Sequence, residues 1–383
     1  MPDGWLDLGV KMKILILIQC ANLGGMEQST LLLLDELKQM GHEVELLSLN
    51  EMGPIEPVLR KHGIPASAIR YRGKWGWRSF FPLRRILRAK QADALVMVGQ
   101  NLMAMLALGD FCRQKRILSL HFHHEGVKPT WEWRLIYRVA MWRFSCITYP
   151  SRFVMEEALN LVPNLAHAKR TMCYPIPTPI SLQPKVEQHQ RLHGLEKLGL
   201  EPWHKIVGNA GWLIPRKRWD VFLKVAAEVA AAVPEARFLI AGDGPERARL
   251  EQQAAELKIQ DRLIWLGWQE NLESFYRVLD IMVFNSDWDA MGRTPLEAMS
   301  YGIPVVASML HGGLKEILDS NEYGFLTDTH DVPLLASKVI ELLKDEALAK
   351  EVGMKARARI EEVGSPRRHA ERVLELLEKN AKD

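Results

Sequence analysis

The chain has 383 residues, of which 48% are hydrophobic and 25% charged, and its formal net charge is +3. One hydrophobic core stops growing below this length, so we expect two domains of roughly 150 to 200 residues. Four scattered cysteines exclude a disulfide-rich secreted scaffold, and the absence of a run of about 18 apolar residues predicts neither a spanning helix nor a signal peptide. We therefore expect a cytoplasmic protein, and the small net charge gives no reason to expect nucleic acid as a partner.

The first predicted strand is the apolar run from Met12 to Gln19, which leaves residues 1–11 as an extension outside the fold. The strand leads to Gly24 and Gly25, and a helix through Met40 follows. Glycines at a helix start let the backbone approach a ligand closely, although a tight turn without a ligand would need them equally.

Strands and helices then alternate through the amino-terminal half. The predicted strands are Glu43 to Ser48, Ala68 to Tyr71 and Ala94 to Val98, with helices from Pro54 and from Ser79. This alternation predicts a doubly wound α/β domain. No G-x-G-x-x-G follows the first strand, so the domain is not predicted to bind a dinucleotide.

The stretch from Arg70 to Lys90 interleaves cations with aromatic residues. Its members are Arg70, Tyr71, Arg72, Lys74, Trp75, Trp77, Arg78, Phe80, Phe81, Arg84, Arg85, Arg88 and Lys90. Cations beside aromatic rings suit an anionic membrane surface, here the inner face of the membrane. The alternative is a solvated basic helix face whose rings pack on the sheet.

A predicted strand from Arg116 to Leu120 ends at His121-Phe122-His123-His124-Glu125. Neighbouring residues of an extended chain point in opposite directions, so His121 and His123 could share a metal only if the strand continued. Histidines satisfied by hydrogen bonds are the simpler reading. The next helix, Trp131 to Phe144, is rich in tryptophan, and core packing of its rings is favoured over membrane contact.

The three prolines between Tyr174 and Ile180 interrupt the pattern, and polar residues continue to His204. We therefore place the domain boundary here, with domains at residues 1–178 and 179–364.

The second domain opens with a strand from Ile206 to Gly211, followed by Arg216, Lys217 and Arg218 before a helix from Trp219. Three cations between a strand and a helix can meet a diphosphate, for which arginine offers two parallel donors and lysine a point charge. Further strands end at the turn Gly242-Asp243-Gly244 and at Gly267. Turn chemistry, rather than metal binding, explains Asp243.

Residues 280–308 are predicted to form a strand, a polar loop, a helix, a tight turn and a strand. The apolar runs Ile281 to Phe284 and Val305 to Ala307 indicate buried parallel strands, with Asp289 in the loop and Glu297 in the helix. Ligands of such units bind at the carboxyl ends of the strands, where helix N-termini attract anions. Both acids can face one cleft.

This stretch resembles the Glu-x7-Glu signature of the retaining GT-B glycosyltransferases, family 4 type. Glu297 is the second acid, Gly292 keeps a family glycine, and Tyr301 to Ser308 matches the tail of the signature. The sequence departs from the pattern at Asp289, where glutamate is usual, and at Trp212, where the family has an arginine. Ala290 and Met291 replace a glycine and an aromatic residue.

The resemblance implies a fold, a reaction and a set of site residues. The fold is GT-B, two facing Rossmann-like doubly wound α/β domains with an interdomain cleft, in which the last helix, residues 365–383, packs back on the amino-terminal domain. The implied catalytic residues are Asp289, Glu297, His121 and Lys217. The implied donor-binding residues are Gly24, Gly25, Arg216, Arg218, Gly267, Trp268, Met291, Gly292, Arg293 and Thr294. Glu27 and His124 lie on the acceptor side.

The implied reaction is retaining transfer of a hexosyl group from a UDP- or GDP-sugar to a glycan or lipid-linked acceptor, as in cell-surface polysaccharide or glycolipid synthesis. Cations and helix N–H groups would stabilise the leaving diphosphate, so no metal and no cofactor beyond the sugar nucleotide is expected. Two alternatives remain: a nucleotide-sugar epimerase on the same fold, and a degenerate protein that binds sugar nucleotides without catalysis, which the losses at Trp212 and Asp289 would suggest.

Overall fold

The computed structural model describes residues 11–19, 24–70, 74–113, 115–121, 130–168 and 170–379, which form two compact units. The amino-terminal unit contains the described residues up to Pro150, Val154–Ile176 and the described residues from Pro366 on. The carboxy-terminal unit contains Ser151–Phe153 and Pro177–Ser365. The amino-terminal unit gives way to the carboxy-terminal unit after Ile176, two residues before the predicted boundary at Thr178.

The amino-terminal unit is a parallel sheet flanked by helices. Its elements in chain order are β1 (Lys13–Ile18), α1 (Gly25–Gln39), β2 (Glu43–Ser48), α2 (Ile55–Lys61), β3 (Ala66–Ala68), a 3-10 turn (Lys74–Ser79), α3 (Phe80–Ala89), β4 (Ala94–Val98), α4 (Leu102–Ala107), β5 (Arg116–Ser119), α5 (Thr130–Arg143), β6 (Cys146–Tyr149), α6 (Arg152–Leu161) and β7 (Met172–Pro175). Seven strands pair in parallel in the order β3-β2-β1-β4-β5-β6-β7. Helices on both faces explain why the central strands are apolar runs.

The elements of the carboxy-terminal unit are α7 (Gln188–Lys197), β8 (Lys205–Ala210), a 3-10 turn (Pro215–Lys217), α8 (Trp219–Ala232), β9 (Ala236–Ala241), α9 (Arg247–Glu256), β10 (Leu263–Gly267), α10 (Glu273–Tyr276), β11 (Ile281–Asp289), α11 (Arg293–Ser300), β12 (Val305–Gly312), β13 (Phe325–Thr327), α12 (Val332–Lys344) and α13 (Glu346–Val363). Its six strands are parallel, in the order β10-β9-β8-β11-β12-β13. The central strands β8 and β11 place their carboxyl ends side by side.

The last helix, α14 (Pro366–Lys379), belongs to the amino-terminal unit. Its apolar side chains Ala370, Val373 and Leu377 are buried in the same core as Leu33 and Leu37 of α1. The periodicity of this helix, with apolar residues three and four positions apart, is typical of a helix that packs on one side.

The prediction that Asp289 lies in a loop was wrong, because β11 continues through Asp289. The strand is longer than its apolar run since β12 also continues, and Trp288 pairs with His311 and Asp289 with Gly312. The ladder hydrogen bonds satisfy the backbone of this polar segment. Asp289 is therefore held on a strand rather than on a free loop.

Two other predictions needed correction. The polar stretch before His204 contains helix α7, whose start is fixed by the backbone N–H of Glu187 donating to Oε1 of Gln190 at 3.2 Å. The strand predicted from Ala68 to Tyr71 is instead Ala66–Ala68, a short edge strand beside β2, and Tyr71 lies outside the described residues. Within the described ranges, no helix has both the length and the hydropathy needed to cross a membrane.

Candidate active site

The loops that follow β8 and β9 are joined by close backbone contacts at glycines. The N–H of Leu213 donates to the carbonyl of Asp243 at 2.9 Å, and a Cβ at Gly242 would lie 1.9 Å from the carbonyl oxygen of Gly211. No residue with a side chain fits at Gly242. The Asp243 carboxylate accepts a hydrogen bond from the N–H of Gly244 at 2.7 Å, which agrees with its assignment to turn chemistry.

Lys217 ends a short 3-10 turn after β8 and reaches β11. Ser286 of β11 donates its hydroxyl to the carbonyl of Arg216 at 3.2 Å, so this turn is fixed to the strand. The ammonium group of Lys217 forms an ion pair with Asp289 and lies 4.9 Å from the centroid of the Phe284 ring. The cation and the acid predicted from distant parts of the sequence are thus in contact.

Asp289 is held by charge and by the start of a helix. Its Oδ1 accepts a hydrogen bond from the N–H of Gly292 at 3.3 Å, just before α11 begins at Arg293. Burial by itself raises the pKa of Asp289. Lys217, Arg216 and the Gly292 N–H together lower this pKa by more than burial raises it, so the net pKa is below its usual value. The carboxylate is therefore ionised at neutral pH.

Glu297 lies in the second turn of α11 with both carboxylate oxygens engaged. Oε1 accepts from Nε of Arg293 at 2.7 Å, and the hydroxyl of Tyr276 lies 2.9 Å from Oε2. Burial and the nearby Glu297 charge raise the pKa of Tyr276 well above its usual value, so Tyr276 stays a donor. A carboxylate has about four acceptor positions, so Glu297 can still accept hydrogen bonds from a ligand.

The two arginines beside Lys217 differ in their availability. Arg218, in a left-handed conformation with φ of +44°, donates from Nε to Asp220 at 3.0 Å and from Nη1 to Asp287 at 3.1 Å. Arg216 is exposed, donates to the carbonyl of Trp288 at 3.2 Å and lies 5.7 Å from the Trp288 ring centroid. Two carboxylates already bind Arg218, so Arg216 is the better placed of the two arginines to bind an anionic ligand together with Lys217.

A polar chain that the sequence analysis missed supports Arg218. Asp287 Oδ1 lies 2.9 Å from Nε2 of His330, and Nδ1 of His330 lies 2.7 Å from the hydroxyl of Ser308, which in turn accepts from Asn285 at 2.8 Å. One signal was available: Asp287 and Asp289 are two residues apart, so on a strand they point to the same side. The positions of His330 and Tyr276 had no local signal, because tertiary packing brings them in.

The other predicted donor-binding residues of this unit surround the same strand ends. Gly267 has φ of +67°, and Trp268 after it is 52% exposed, with its ring edge-to-face against that of Trp212 at 5.8 Å between centroids. Thr294 donates its hydroxyl to the carbonyl of Ala210 at 3.2 Å. Met291 is buried in the hydrophobic core, so its side chain is not available to a ligand.

The predicted residues of the amino-terminal unit lie after strands β1 and β5. Gly24 caps α1, which begins at Gly25, and Glu27 is buried in its first turn. Ser119 Oγ lies 2.9 Å from Nε2 of His121, and burial together with His369 lowers the pKa of His121 to about 4. His121 is neutral at physiological pH. His124 lies outside the described residues.

Across the described residues, no cluster of three or more histidine, cysteine, aspartate or glutamate side chains could hold a metal ion. The independence from metal expected from the sequence stays a prediction.

Comparison with known proteins identifies the family. The profile described as Glycosyl transferases group 1 matches residues 195–359, and the profile described as Glycosyltransferase Family 4 matches residues 23–169. The chain belongs to the family 4 glycosyltransferases. The solved structure of Anabaena HepE in complex with UDP superposes on this family 4 glycosyltransferase with a TM-score of 0.81 at 19% identity, over 96% of this chain and 100% of HepE. The shared fold is GT-B.

Two relatives illustrate how the similarity is distributed. The N-acetyl-alpha-D-glucosaminyl L-malate synthase of Bacillus anthracis is 34% identical over 143 residues, 37% of this glycosyltransferase and 36% of the synthase. A glycosyltransferase of Haemophilus influenzae is 23% identical over 352 residues, 89% of this chain and 93% of its own. The match with the higher identity, to the synthase, thus covers only about a third of the synthase's length.

Proposed function

We propose that this protein transfers a sugar from a nucleoside-diphosphate sugar to a glycan or lipid-linked acceptor. The observation that carries the proposal is the contact between Lys217 and Asp289 at the strand ends, next to the start of α11, with Glu297 in the second turn of that helix. A cation, a helix start and two acids in one place match the charge pattern of a diphosphate joined to a ribose and a sugar.

Each charged group has a role in this proposal. Lys217, Arg216 and the N–H groups at the start of α11 stabilise the charge that develops on the leaving diphosphate. Glu297 accepts hydrogen bonds from the ribose hydroxyls through its remaining acceptor positions. Asp289 contacts the donor sugar. Trp268 and the Gly267 backbone lie near the nucleotide base, and Gly24, Gly25 and Glu27 with His121 and His124 serve the donor and acceptor from the amino-terminal unit.

We further propose that the configuration at the anomeric carbon is retained and that no metal takes part. The bond from the acceptor oxygen to the anomeric carbon forms on the face from which the phosphate leaves. The acceptor proton passes to the departing phosphate oxygen, so charge and protons balance without a separate base. Neutral His121 can donate or accept a hydrogen bond but carries no charge of its own.

Relatives support a sugar nucleotide as the donor. HepE has been solved with UDP and with UDP-glucose, which makes UDP-sugars the first donors to test and GDP-sugars the second. A lipopolysaccharide core mannosyltransferase of Rhizobium meliloti, 31% identical over 155 residues, supports a surface polysaccharide or glycolipid as the acceptor.

The test is the release of nucleoside diphosphate from a panel of UDP- and GDP-sugars, with and without glycan and glycolipid acceptors. Transfer predicts that release depends on both substrates and that Lys217→Ala and Glu297→Ala lose at least about 100-fold in kcat/KM. Lys338→Ala is the matched control, because Lys338 is a surface cation of the same unit paired with Glu341 at 2.9 Å. Undiminished turnover in both site variants would refute the assignment.

The alternatives give different outcomes in the same assay. An epimerase changes the sugar nucleotide without needing an acceptor. A degenerate protein binds nucleoside diphosphate and releases none from the donor. The observation that favours the second alternative is Trp212, which stands where the family has an arginine. Catalysis would then require Arg216 to supply the second cation.

A further inference from the structure

Two consecutive cations of the carboxy-terminal unit are held by two acids of one strand. Lys217 pairs with Asp289, and Arg218 donates from Nη1 to Oδ1 of Asp287 at 3.1 Å. Asp287 and Asp289 lie two positions apart on β11, so their side chains point to the same side of the sheet. Two ion pairs therefore join the turn that carries Lys217 to the end of β11.

Arg218 stands where the 3-10 turn ends and α8 begins, and its backbone is strained. Its φ of +44° and ψ of +46° are left-handed values, which are unfavourable for a residue with a Cβ. Asp220 of α8 accepts from Nε and Nη2 of Arg218 at 3.0 and 3.1 Å, whereas Asp287 of β11 accepts from Nη1. Asp287 is thus the partner that ties Arg218, and with it the adjacent Lys217, to the strand.

A buried histidine fixes the orientation of Asp287. The His330 side chain, from the loop between β13 and α12, is 9% exposed, and its Nε2 lies 2.9 Å from Oδ1 of Asp287, whose side chain is 41% exposed. A ring nitrogen that faces a carboxylate at this distance carries a proton, so Nε2–H donates to Asp287. Nδ1 lies 2.7 Å from the hydroxyl of Ser308, which is fully buried on β12, and this second contact sets the angle of the ring. Neither His330 nor Ser308 has a role in the transfer reaction proposed above.

We propose that His330 is a positioning residue of the donor site, because it orients Asp287, Asp287 holds Arg218, and the position of Lys217 follows. If the Nε2–H donor were removed, Arg218 alone among the described residues would hold the Asp287 carboxylate, which could then turn towards solvent. Lys217 would be less well placed to meet a diphosphate, so the affinity for that group would fall. This role rests on the proposed function, because the diphosphate is the group whose binding it changes.

Three substitutions at one position test this role by calorimetric titration of UDP and GDP. His330→Gln keeps an N–H donor near the position of Nε2, whereas His330→Asn keeps a polar atom only near Nδ1, and His330→Ala keeps neither. We expect His330→Ala and His330→Asn to bind the preferred nucleoside diphosphate about fivefold more weakly, and His330→Gln to recover most of the affinity. Unchanged affinity in His330→Ala would overturn the proposal. Recovery by His330→Asn and not by His330→Gln would do so too, because it would assign the effect to the Ser308 contact.

A double-mutant cycle tests whether His330 acts through Lys217. His330→Ala should weaken binding little once Lys217→Ala is present, because the side chain that His330 positions is then missing. Fully additive losses of affinity would contradict an effect that passes through Lys217.

His204→Ala is the matched control. His204 lies in the same unit, just before β8, and like His330 it is partly buried with its Nδ1 in a hydrogen bond, which here comes from the N–H of Glu201 at 2.9 Å. This variant should bind as the unchanged protein does. Thermal unfolding of every variant separates a misplaced side chain from lost folding. Should His330→Ala not fold, the comparison of His330→Gln with His330→Asn gives the same discrimination.

The same titrations distinguish the role of His330 from the donor site itself. Weaker binding in Lys217→Ala with unchanged binding in His330→Ala would leave the donor site standing and remove the role of His330. Failure of the unchanged protein to bind either nucleoside diphosphate would refute the donor site, and the role of His330 with it. In the transfer assay, kcat/KM of the three His330 variants should follow the same order as their affinity.

Discussion

At the scale of single residues, the proposed site contains a carboxylate and an ammonium group that neutralise each other in the absence of a ligand. Asp289 and Lys217 are paired, and each is less than a fifth exposed, at 19% and 16% of the side chain. A diphosphate bound at Lys217 would place a second anion beside Asp289. The repulsion between these two anions makes separate effects on binding and on transfer measurable.

Replacing Asp289 by asparagine should separate donor binding from sugar transfer. The amide keeps the shape of the side chain but removes the charge that repels a diphosphate, so affinity for the nucleoside diphosphate should rise several-fold while turnover falls by about 100-fold. Calorimetric titration and steady-state kinetics measure the two effects. Asp243→Asn, in an exposed turn, serves as the control. A parallel fall in affinity and turnover would contradict the role given to Asp289.

Replacing Tyr276 by phenylalanine should weaken donor binding through Glu297. The change removes one hydrogen bond to the carboxylate, about 1 kcal/mol or roughly fivefold in affinity, and leaves the ring packing in place. The dissociation constant of the nucleoside diphosphate measures the loss. An unchanged constant would mean that Arg293 alone holds Glu297 in position and that the Tyr276 hydroxyl donates to the carbonyl of Thr294, 3.1 Å away, instead.

His121 predicts a pH dependence of the amino-terminal unit. Its pKa of about 4 lies below the ordinary value of 6.5, so the unfolded chain takes up the proton first and stability is lost as pH falls from about 6.5 to about 4. The loss from this group is at most about 3 kcal/mol. His121→Asn should flatten this dependence when hydrogen exchange of the β5 and β6 amides is followed with pH. An identical pH dependence in the variant would assign the effect elsewhere, such as to His42, whose pKa burial also lowers.

The family resemblance singled out Asp289, Glu297 and Lys217 from short stretches of sequence, and the structure brings Lys217 and Asp289 into contact. The sequence did not predict Tyr276 or His330. Tyr276 contacts Glu297 across 21 positions of the chain, and His330 contacts Asp287 across 43. Contacts of this kind arise from tertiary packing, which leaves no spacing in the sequence.

At the scale of secondary structure elements, glycine contacts set the positions of the loops that carry the site. The loop after β8, which leads to Lys217, lies directly on the turn after β9 at Gly242 and Gly244. A Cβ at Gly244 would lie 2.6 Å from the carbonyl oxygen of Leu213. These contacts explain the turn chemistry that the sequence indicated at Asp243.

Gly242→Ala should destabilise the carboxy-terminal unit much more than Gly267→Ala. The first change places a Cβ 1.9 Å from backbone and forces the loops apart, which we expect to cost more than about 3 kcal/mol. The second meets no atom within 4 Å, so only its φ of +67° is unfavourable, at about 1 kcal/mol. Chemical denaturation followed with and without nucleoside diphosphate measures both. Equal costs would refute the contact.

Element positions were predictable where an apolar run and a strand coincide, as in β4 at Ala94–Val98. They were not predictable where pairing extends a strand beyond its apolar run. Ser286 to Asp289 is mostly polar, and its pairing with Met309 to Gly312 of β12 keeps it in the sheet. The helix α7 was missed for a related reason, since its polar sequence buries little beyond Leu195.

At the scale of the whole molecule, two doubly wound units were predictable from length and from the alternation of strands and helices. The order of strands in each sheet was not predictable from the sequence, because it depends on the edge of the sheet at which each crossover adds the next strand. The return of α14 to the amino-terminal unit likewise has no local signal, and only the family resemblance implied it. Each unit has its own hydrophobic core, as a chain of this length requires.

Calorimetric titration of UDP and GDP into the unchanged protein, Lys217→Ala, Glu297→Ala and Lys338→Ala tests whether a nucleoside diphosphate binds at the strand ends of the carboxy-terminal unit. We expect at least one nucleoside diphosphate to bind the unchanged protein and Lys338→Ala equally well. We expect Lys217→Ala and Glu297→Ala to bind that ligand at least about tenfold more weakly, because each loses a charge-assisted contact. Failure of both ligands to bind, or equal binding by all four proteins, would contradict a donor site at the strand ends of the carboxy-terminal unit.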